Sequence, residues 1–346
     1  MSSREIKSHR FVALTYRDFR LIWLGVFISN VGTQMQIVAV NWHLYLLTGS
    51  AFALGLIGLT RFIPITAFSL VAGNAADSFN RKKILLTSEL LMAFFAAILG
   101  ISTFLSFVSP FLIYLLTFLS AVALAFEMPS RQALVPSLVD KKHLPSALSL
   151  NVIMFQLSMV VGPAIAGFLL AGFGPGFIYV LNGLSFLAIV FGLILINASG
   201  EIVGKPQDIS ILNIKEGLRF VRSKTMIWST MILDFFSTFF ASATALMPIF
   251  AQDILKVGPQ GLGLLYSAES IGAIIAGFIF SQLPKIRKEG RVLLVAVSIY
   301  GLATVIFGFS RNYLLSFFAL MLVGAGDSVS TIIRNLIRQL NIPDNL

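Results

Sequence analysis

Cysteine is absent from all 346 residues, which excludes disulfides, thiolate catalysis and cysteine-ligated metals. Histidine occurs three times, as His9, His43 and His143, too scattered for a metal cluster. No metal and no cofactor is therefore expected. Charge is also scarce: 12% of residues are Asp, Glu, Lys or Arg, against about 25% in a soluble domain. No phosphate-binding loop, His-Glu-x-x-His helix or other recognisable catalytic constellation is present, so an enzyme is not expected. A cleavable signal peptide is not expected either, because the first twenty residues are polar and basic and the first apolar run is too long for a signal core.

What remains is 57% apolar and arranged in long runs. Lipid offers no hydrogen bonds to a backbone, so a spanning chain must be helical or a closed barrel. The runs are roughly 20 residues long without alternation, which predicts helices. Charge, Gly, Pro and Ser bound ten candidate spans: 21–47, 52–73, 84–106, 110–128, 147–171, 176–197, 226–252, 261–283, 292–309 and 313–333. The expected fold is thus an all-α integral membrane protein. One long polar connection divides it into an N-terminal tail (1–20), a six-helix bundle (21–197), a cytoplasmic linker (198–225) and a bundle of four helices (226–346).

The net charge of +10 raises the question of nucleic acid, which the distribution of the cations answers. With the N-terminus placed in the cytoplasm, 22 Lys and Arg fall on the cytoplasmic side, only Lys256 and Arg311 fall outside, and Arg61 lies within a span. This is the positive-inside pattern of a multi-pass protein in the cell (inner, cytoplasmic) membrane. It accounts for the basic balance without a nucleic-acid partner. A faint internal repeat joins the halves: "LTGSAFALGLIGL" (47–59) against "LKVGPQGLGLLYS" (255–267), with Glu127 and Asp327 at comparable depths in the fourth span of each. Two similar bundles around a central path are expected.

Arg61 stands about ten residues into its span, roughly 15 Å deep at 1.5 Å per residue, and Asp234 and Glu269 stand roughly 12 Å deep. A charge at such depth is costly unless paired or hydrated. Asp234 and Glu269 are candidates for proton coupling, and Arg61 for binding an anionic group or pairing with one of them. A static ion pair between the halves is the structural alternative. Glu127 and Arg131 are spaced i, i+4 in the favourable order, and Asp327 and Arg334 share a face seven residues apart. Both pairs read as gates or latches, with substrate contact or idle charge as alternatives. Asn30, Gln34 and Asn41 form one polar face of the first span, which lines a cavity or bonds to a neighbouring helix. Small residues mark close helix approach: Ser158, Gly162, Ala166 and Gly167 in the fifth span, with Pro163 favouring a bend, and Ala273, Gly277 and Ser281 in the eighth.

The stretch "GNAADSFNRKK" resembles the loop between spans two and three of major facilitator superfamily transporters, with Gly73, Asp77, Arg81 and Lys82 at the matching positions. Ser78 and Asn80 depart from the pattern, and Asn80 is expected to take a left-handed turn there. "FEMPSRQALVPSLV", "VVGPAIAGFLL" and "GAGDSVSTIIRNLIRQLNIPDNL" are similar to the fourth, fifth and tenth spans of the enterobactin-exporter and macrolide-efflux subgroup. The resemblance implies secondary active export of a small amphipathic molecule, a drug or siderophore, coupled to protons. It implies that Asp77 latches the cytoplasmic side near an eleventh span, and that the small-residue ridges of spans five and eight meet. Twelve spans are usual in the family, so a chain truncated after ten is expected. Lipid or lysophospholipid transport and a non-transporting fragment are the alternatives. The expected partners are the lipid bilayer, a small-molecule substrate and protons, and the expected state is a monomer.

Overall fold

The computed structural model describes residues 11–200, 222, 224–241, 244–283 and 288–341. Each helix begins and ends where local chemistry dictates. Helix α1 (Arg17–Thr48) stops at Gly49, whose φ of 60° is left-handed and whose N–H closes on the Tyr45 carbonyl. Ser50 then caps α2 (Ala51–Ser78), its hydroxyl accepting from the Ala53 N–H at 3.3 Å. Asn80 caps α3 (Arg81–Phe104), and Ser109 caps α4 (Pro110–Leu134), where Pro occupies the first turn. The fifth helix, α5 (Leu144–Leu195), is broken at Gly174 (φ 75°, ψ 177°), followed by Pro175. Its 52 residues would run about 78 Å unbroken, far more than a bilayer of about 30 Å, so the break makes two spans.

The second part contains α6 (Thr225–Ala241), α7 (Gly258–Ser281), α8 (Glu289–Phe309) and α9 (Tyr313–Asn341). Among the described residues eight helices are long and apolar enough to cross a membrane, the bent α5 counting once. No strand occurs among them. The chain divides into two compact units between Gln207 and Asp208. Most of the expected linker (201–221 and 223), the first ten residues and residues 342–346 lie outside the described residues.

Three expectations need correction. The span expected over 226–252 is not one helix: α6 ends at Ala241, and from Thr244 the chain passes through a 3-10 turn, a short α turn and a π turn ending at Ile254. Pro248 stands in the first turn of the short α segment, where its missing N–H has no helical carbonyl to meet. Gly73 and Asp77 do not sit in a loop, because α2 continues to Ser78 and the Phe79 N–H still reaches the Ala75 carbonyl at 2.8 Å. Asn80 is not left-handed: its φ is −59°, and its side-chain oxygen accepts from the Lys83 N–H at 3.1 Å. The turn survives by capping a helix.

In the first unit α1 packs along both arms of α5. A Cβ on Gly162 would stand 2.6 Å from the Cβ of Gln34, and one on Gly25 would stand 2.7 Å from the Ile189 Cα. The ridge of Ser158, Gly162, Ala166 and Gly167 is buried, with Gly162 against α1 of its own unit. At one end Phe19, Leu134, Leu138, Ala147 and Leu193 form a common core. The α2–α3 connection is tied to the same end. Asn80 donates to the Ser199 carbonyl at 2.8 Å, Lys82 to Ile196 at 2.9 Å, and Arg81 to Ala133 at 3.1 Å.

In the second unit α9 lies against α7 and α8 at glycines. Gly272 meets the Met321 carbonyl and Gly324 meets the Glu269 carbonyl so closely that neither has room for a Cβ, while one on Gly326 would lie 2.8 Å from the Ala296 carbonyl. Gly277, beside Ser328, and Ala273 are only half-buried. Helices in lipid gain little from hydrophobic contact with one another, and close backbone approach at small residues supplies dispersion instead. Gly324→Leu should therefore lower the thermal midpoint of the detergent-solubilised protein, at a cost of at least about 1–3 kcal/mol. Gly301→Ala, where a Cβ meets nothing, should leave the midpoint unchanged or raise it, since Ala is the better helix former by about 1 kcal/mol.

Candidate functional site

In the first unit a cavity of about 190 Å³ opens among α1, α2, α3, α4 and the second arm of α5. Its polar lining is Thr33, Gln36, Arg61, Thr117, Ser120 and Asn182, and its walls include Met92, Leu124 and Phe186. The polar groups are pre-ordered. Asn182 donates to Gln36 Oε1 at 2.7 Å and accepts from the Ser185 hydroxyl at 3.0 Å. Gly32 lets α1 come this near, since a Cβ there would collide with Asn182 and Ser185. Arg61 is half-buried in α2 and brings positive charge to the wall. The Thr117 hydroxyl is buried without a hydrogen-bond partner. The site thus offers a cation, hydrogen-bonding amides and an apolar floor within one small volume.

The structure places the polar stripe of α1 differently from its expected partners. Gln34 lies over Gly162 of α5, Asn41 is buried, and the Asn30 amide nitrogen is buried with no hydrogen-bond partner. The cavity takes Thr33 and Gln36 from the adjacent face. His43 is buried and its Nδ1 lies 3.1 Å from the Tyr179 hydroxyl.

Glu127 and Arg131 form a 3.0 Å ion pair on α4, with Glu127 fully enclosed. Beside them stands Glu89 of α3, 2% exposed, which was not among the residues singled out from sequence. It was visible as the one acid in the apolar run 84–106. Asp77 is half-exposed and stands 4.0 Å from Arg81, the loosest of the pairs near this end.

The second unit has its own charge cluster. Arg334 of α9 is buried and pairs closely with Asp234 of α6, one hundred residues earlier. Its other guanidinium nitrogen donates to Thr331 Oγ1 at 2.7 Å and stands 4.0 Å from Asp327. The charges of Glu269, Asp327, Asp234 and Arg334 all act on the Tyr300 hydroxyl, which marks them as one neighbourhood. The glycine contacts build it, since Gly324 brings α9 onto the backbone of Glu269 and Gly326 brings it onto that of Tyr300. Asp234 and Glu269, expected to lie near the midplane, thus belong to a cluster centred on Arg334. Two carboxylates, Asp234 and Asp327, share one guanidinium there.

Replacing Arg334 by Gln should leave Asp234 and Asp327 without their cation. Because Asp234 is about one-third exposed, the destabilisation should be about 1–3 kcal/mol, below that of a fully buried pair. A double-mutant cycle with Asp234→Asn on thermal midpoints should return a coupling of similar size. Strict additivity would contradict the pairing.

The family described as transmembrane secretion effector matches residues 8–345. Macrolide efflux protein A of Streptococcus pyogenes is 24% identical over 285 residues, covering 82% of this chain and 70% of that protein. Enterobactin exporter EntS of Salmonella typhi is 25% identical over 336 residues, covering 96% and 80%. Among solved structures, a bacterial homologue of the human lysosomal transporter Spinster, inward-facing and unoccupied, superimposes with a TM-score of 0.74 at 14% identity. That match covers 95% of this chain and 76% of the other, and it shows the shared fold. A helical multi-pass chain with this family match belongs to the transmembrane secretion effector family, within the efflux transporters of the major facilitator superfamily.

Proposed function

We propose that this transporter exports a small amphipathic molecule, a macrolide-like drug or a siderophore, in exchange for protons by alternating access. The observation that carries the reading is the first unit's cavity. Arg61 and the Gln36–Asn182 pair stand over apolar walls, which suits a ligand with an anionic or hydrogen-bonding group on a greasy body. The names of the relatives, a macrolide efflux protein and an enterobactin exporter, support the same substrate range.

Protons are the coupling ion in this reading. An acid held in a protein interior within the membrane is stable when neutral or paired, so alternate opening to the two sides loads and releases it. Asp234 and Glu269 are the carriers in the second unit, and Arg334 supplies the charge that competes with the proton. Glu127–Arg131, Asp327–Arg334 and the junction of α2 and α3, with Gly73, Asp77, Arg81 and Lys82, serve as latches. The protein is a monomer in the bacterial cytoplasmic membrane with its N-terminus in the cytoplasm, as the cation distribution supports. The six-span and four-span halves are its two moving parts.

The test is efflux from proteoliposomes driven by an imposed proton gradient. Asp234→Asn and Glu269→Gln should each weaken the dependence of transport on the gradient, and unchanged gradient-driven efflux in both would refute the coupling role. Arg61→Gln should weaken binding of an anionic substrate by about 10–100-fold, the equivalent of one charge-assisted hydrogen bond of ~1.5–3 kcal/mol. A neutral substrate should be affected far less. Equal effects on both would contradict the assignment of Arg61.

A further inference from the structure

Among α7, α8 and α9 of the second unit lies a cavity of about 350 Å³ that the transport reading does not use. Its lining includes Ala276 of α7, Val295 and Ile299 of α8, and Gly326 and Val329 of α9, and among the described residues it is apolar except for Arg291. Val295 and Ile299 are exposed, so the cavity is a groove on the outside of the unit. Arg291 stands in the first turn of α8, where the apolar run begins, and is itself exposed. Lys288, just ahead of the helix, is exposed too, while Glu289 is two residues from Arg291 and so on another side of the helix. Among the described residues no carboxylate lies within ion-pair reach of Arg291.

The first unit shows what fills the corresponding place there. At the offset of the internal repeat that joins 47–59 to 255–267, Ala276 answers to Phe68, and at the offset of Glu127 and Asp327, Gly326 answers to Phe126. The Phe68 and Phe126 rings pack on each other with centroids 6.2 Å apart. In the second unit both rings are gone, and the groove stands beside Gly326, whose α9 backbone lies directly on Ala296 and Tyr300. The side of α8 suited to a further helix is a different one. In the first unit α3 meets the second arm of α5 at Gly100, against Val180, and the counterpart of Gly100 is Gly308. Gly308 stands nine residues, about two and a half turns, beyond Ile299 and therefore on the opposite side of α8 from the groove.

We propose that this groove binds an anionic phospholipid, with an acyl chain along Val295, Ile299 and Gly326 and the phosphate on Arg291. An apolar groove on a spanning helix is wetted by hydrocarbon rather than water, and a chain lying in it restores the dispersion contacts that the two missing rings supply in the first unit. A span ends at the level of the headgroups, where the planar guanidinium fork matches phosphate. Lys288 adds a second cation at that level, which favours a headgroup with net negative charge over a zwitterionic one. With the orientation proposed above, the lipid belongs to the cytoplasmic leaflet. It is held and not carried, since the groove is separate from the Arg61 cavity of the first unit.

Tryptophan quenching in bilayers tests the site without any need for transport. The full chain carrying Ile299→Trp is reconstituted in phosphatidylcholine with increasing shares of phosphatidylglycerol brominated on its acyl chains, and the emission of the chain without that substitution is subtracted. Quenching should exceed the bulk share of brominated lipid. Adding Arg291→Gln should lower the preference for the anionic lipid about fivefold, the worth of one cation at the interface. Adding Ala276→Phe, which restores the ring of the first unit, should lower quenching whichever headgroup carries the bromine. Leu91→Trp, at the matching position of α3, should follow the bulk share. Size-exclusion profiles establish that the variants remain folded. Quenching at Ile299→Trp that tracks the bulk share, an equal preference at Leu91→Trp, or a preference unchanged by Arg291→Gln would overturn the proposal. Displacement of the lipid by inorganic phosphate would assign Arg291 to a soluble anion instead, and loss of quenching as the protein-to-lipid ratio rises would put a second copy of the chain in the groove; either result also overturns it.

Discussion

Lipid cannot solvate a charge or an open backbone group, and the architecture of this chain follows from that one constraint. Among the described residues the apolar runs are helical, because a helix satisfies its own N–H and C=O groups. Where helices must stop, the freed groups are met by Gly49, Ser50, Asn80 and Ser109 rather than left to solvent. The ionisable side chains within spans are drawn together for the same reason. Arg334 gathers Asp234, Asp327 and Thr331, and Arg131 holds Glu127 beside Glu89. The same rule makes glycine valuable, since a dispersion-held crossing needs backbones in contact, as at Gly272 and Gly324.

A common logic runs through the two units, each considered by itself. In both, an arginine answers to carboxylates of its own unit: Arg131 to Glu127, and Arg334 to Asp234 and Asp327. An arginine remains charged throughout, whereas the acids can be neutral or ionised. The cavity of the first unit is of another kind. It mixes Arg61 and a fixed Gln36–Asn182 amide pair with apolar walls.

Much of the fold is legible in sequence because hydropathy is a property of the residues themselves. The helix positions, the Gly174–Pro175 break between the fifth and sixth spans and the family all follow from runs and motifs. What is not legible depends on rotation or distant contact. The α1 stripe of Asn30, Gln34 and Asn41 shares a face by count, yet the packing of α1 against α5, at Gly32 of α1 and Gly162 of α5, leaves Thr33 and Gln36 lining the cavity. Arg334 was matched in sequence to Asp327 on its own helix, while its closer partner, Asp234, lies one hundred residues away. Glu89 was passed over because nothing local distinguishes it, and only burial beside Glu127 does. Pro248 is plain in sequence, but the π turn at Phe250–Ile254 that follows it is not.

The central claim is that substrate and proton compete through these buried charges. It is tested most directly by adding a macrolide or enterobactin to the purified protein in weakly buffered detergent and following a pH indicator. The account predicts that protons are released as substrate saturates its site, with the amount falling when the buried acids are replaced by their amides. Saturable binding with no proton release at any pH near neutrality would contradict it.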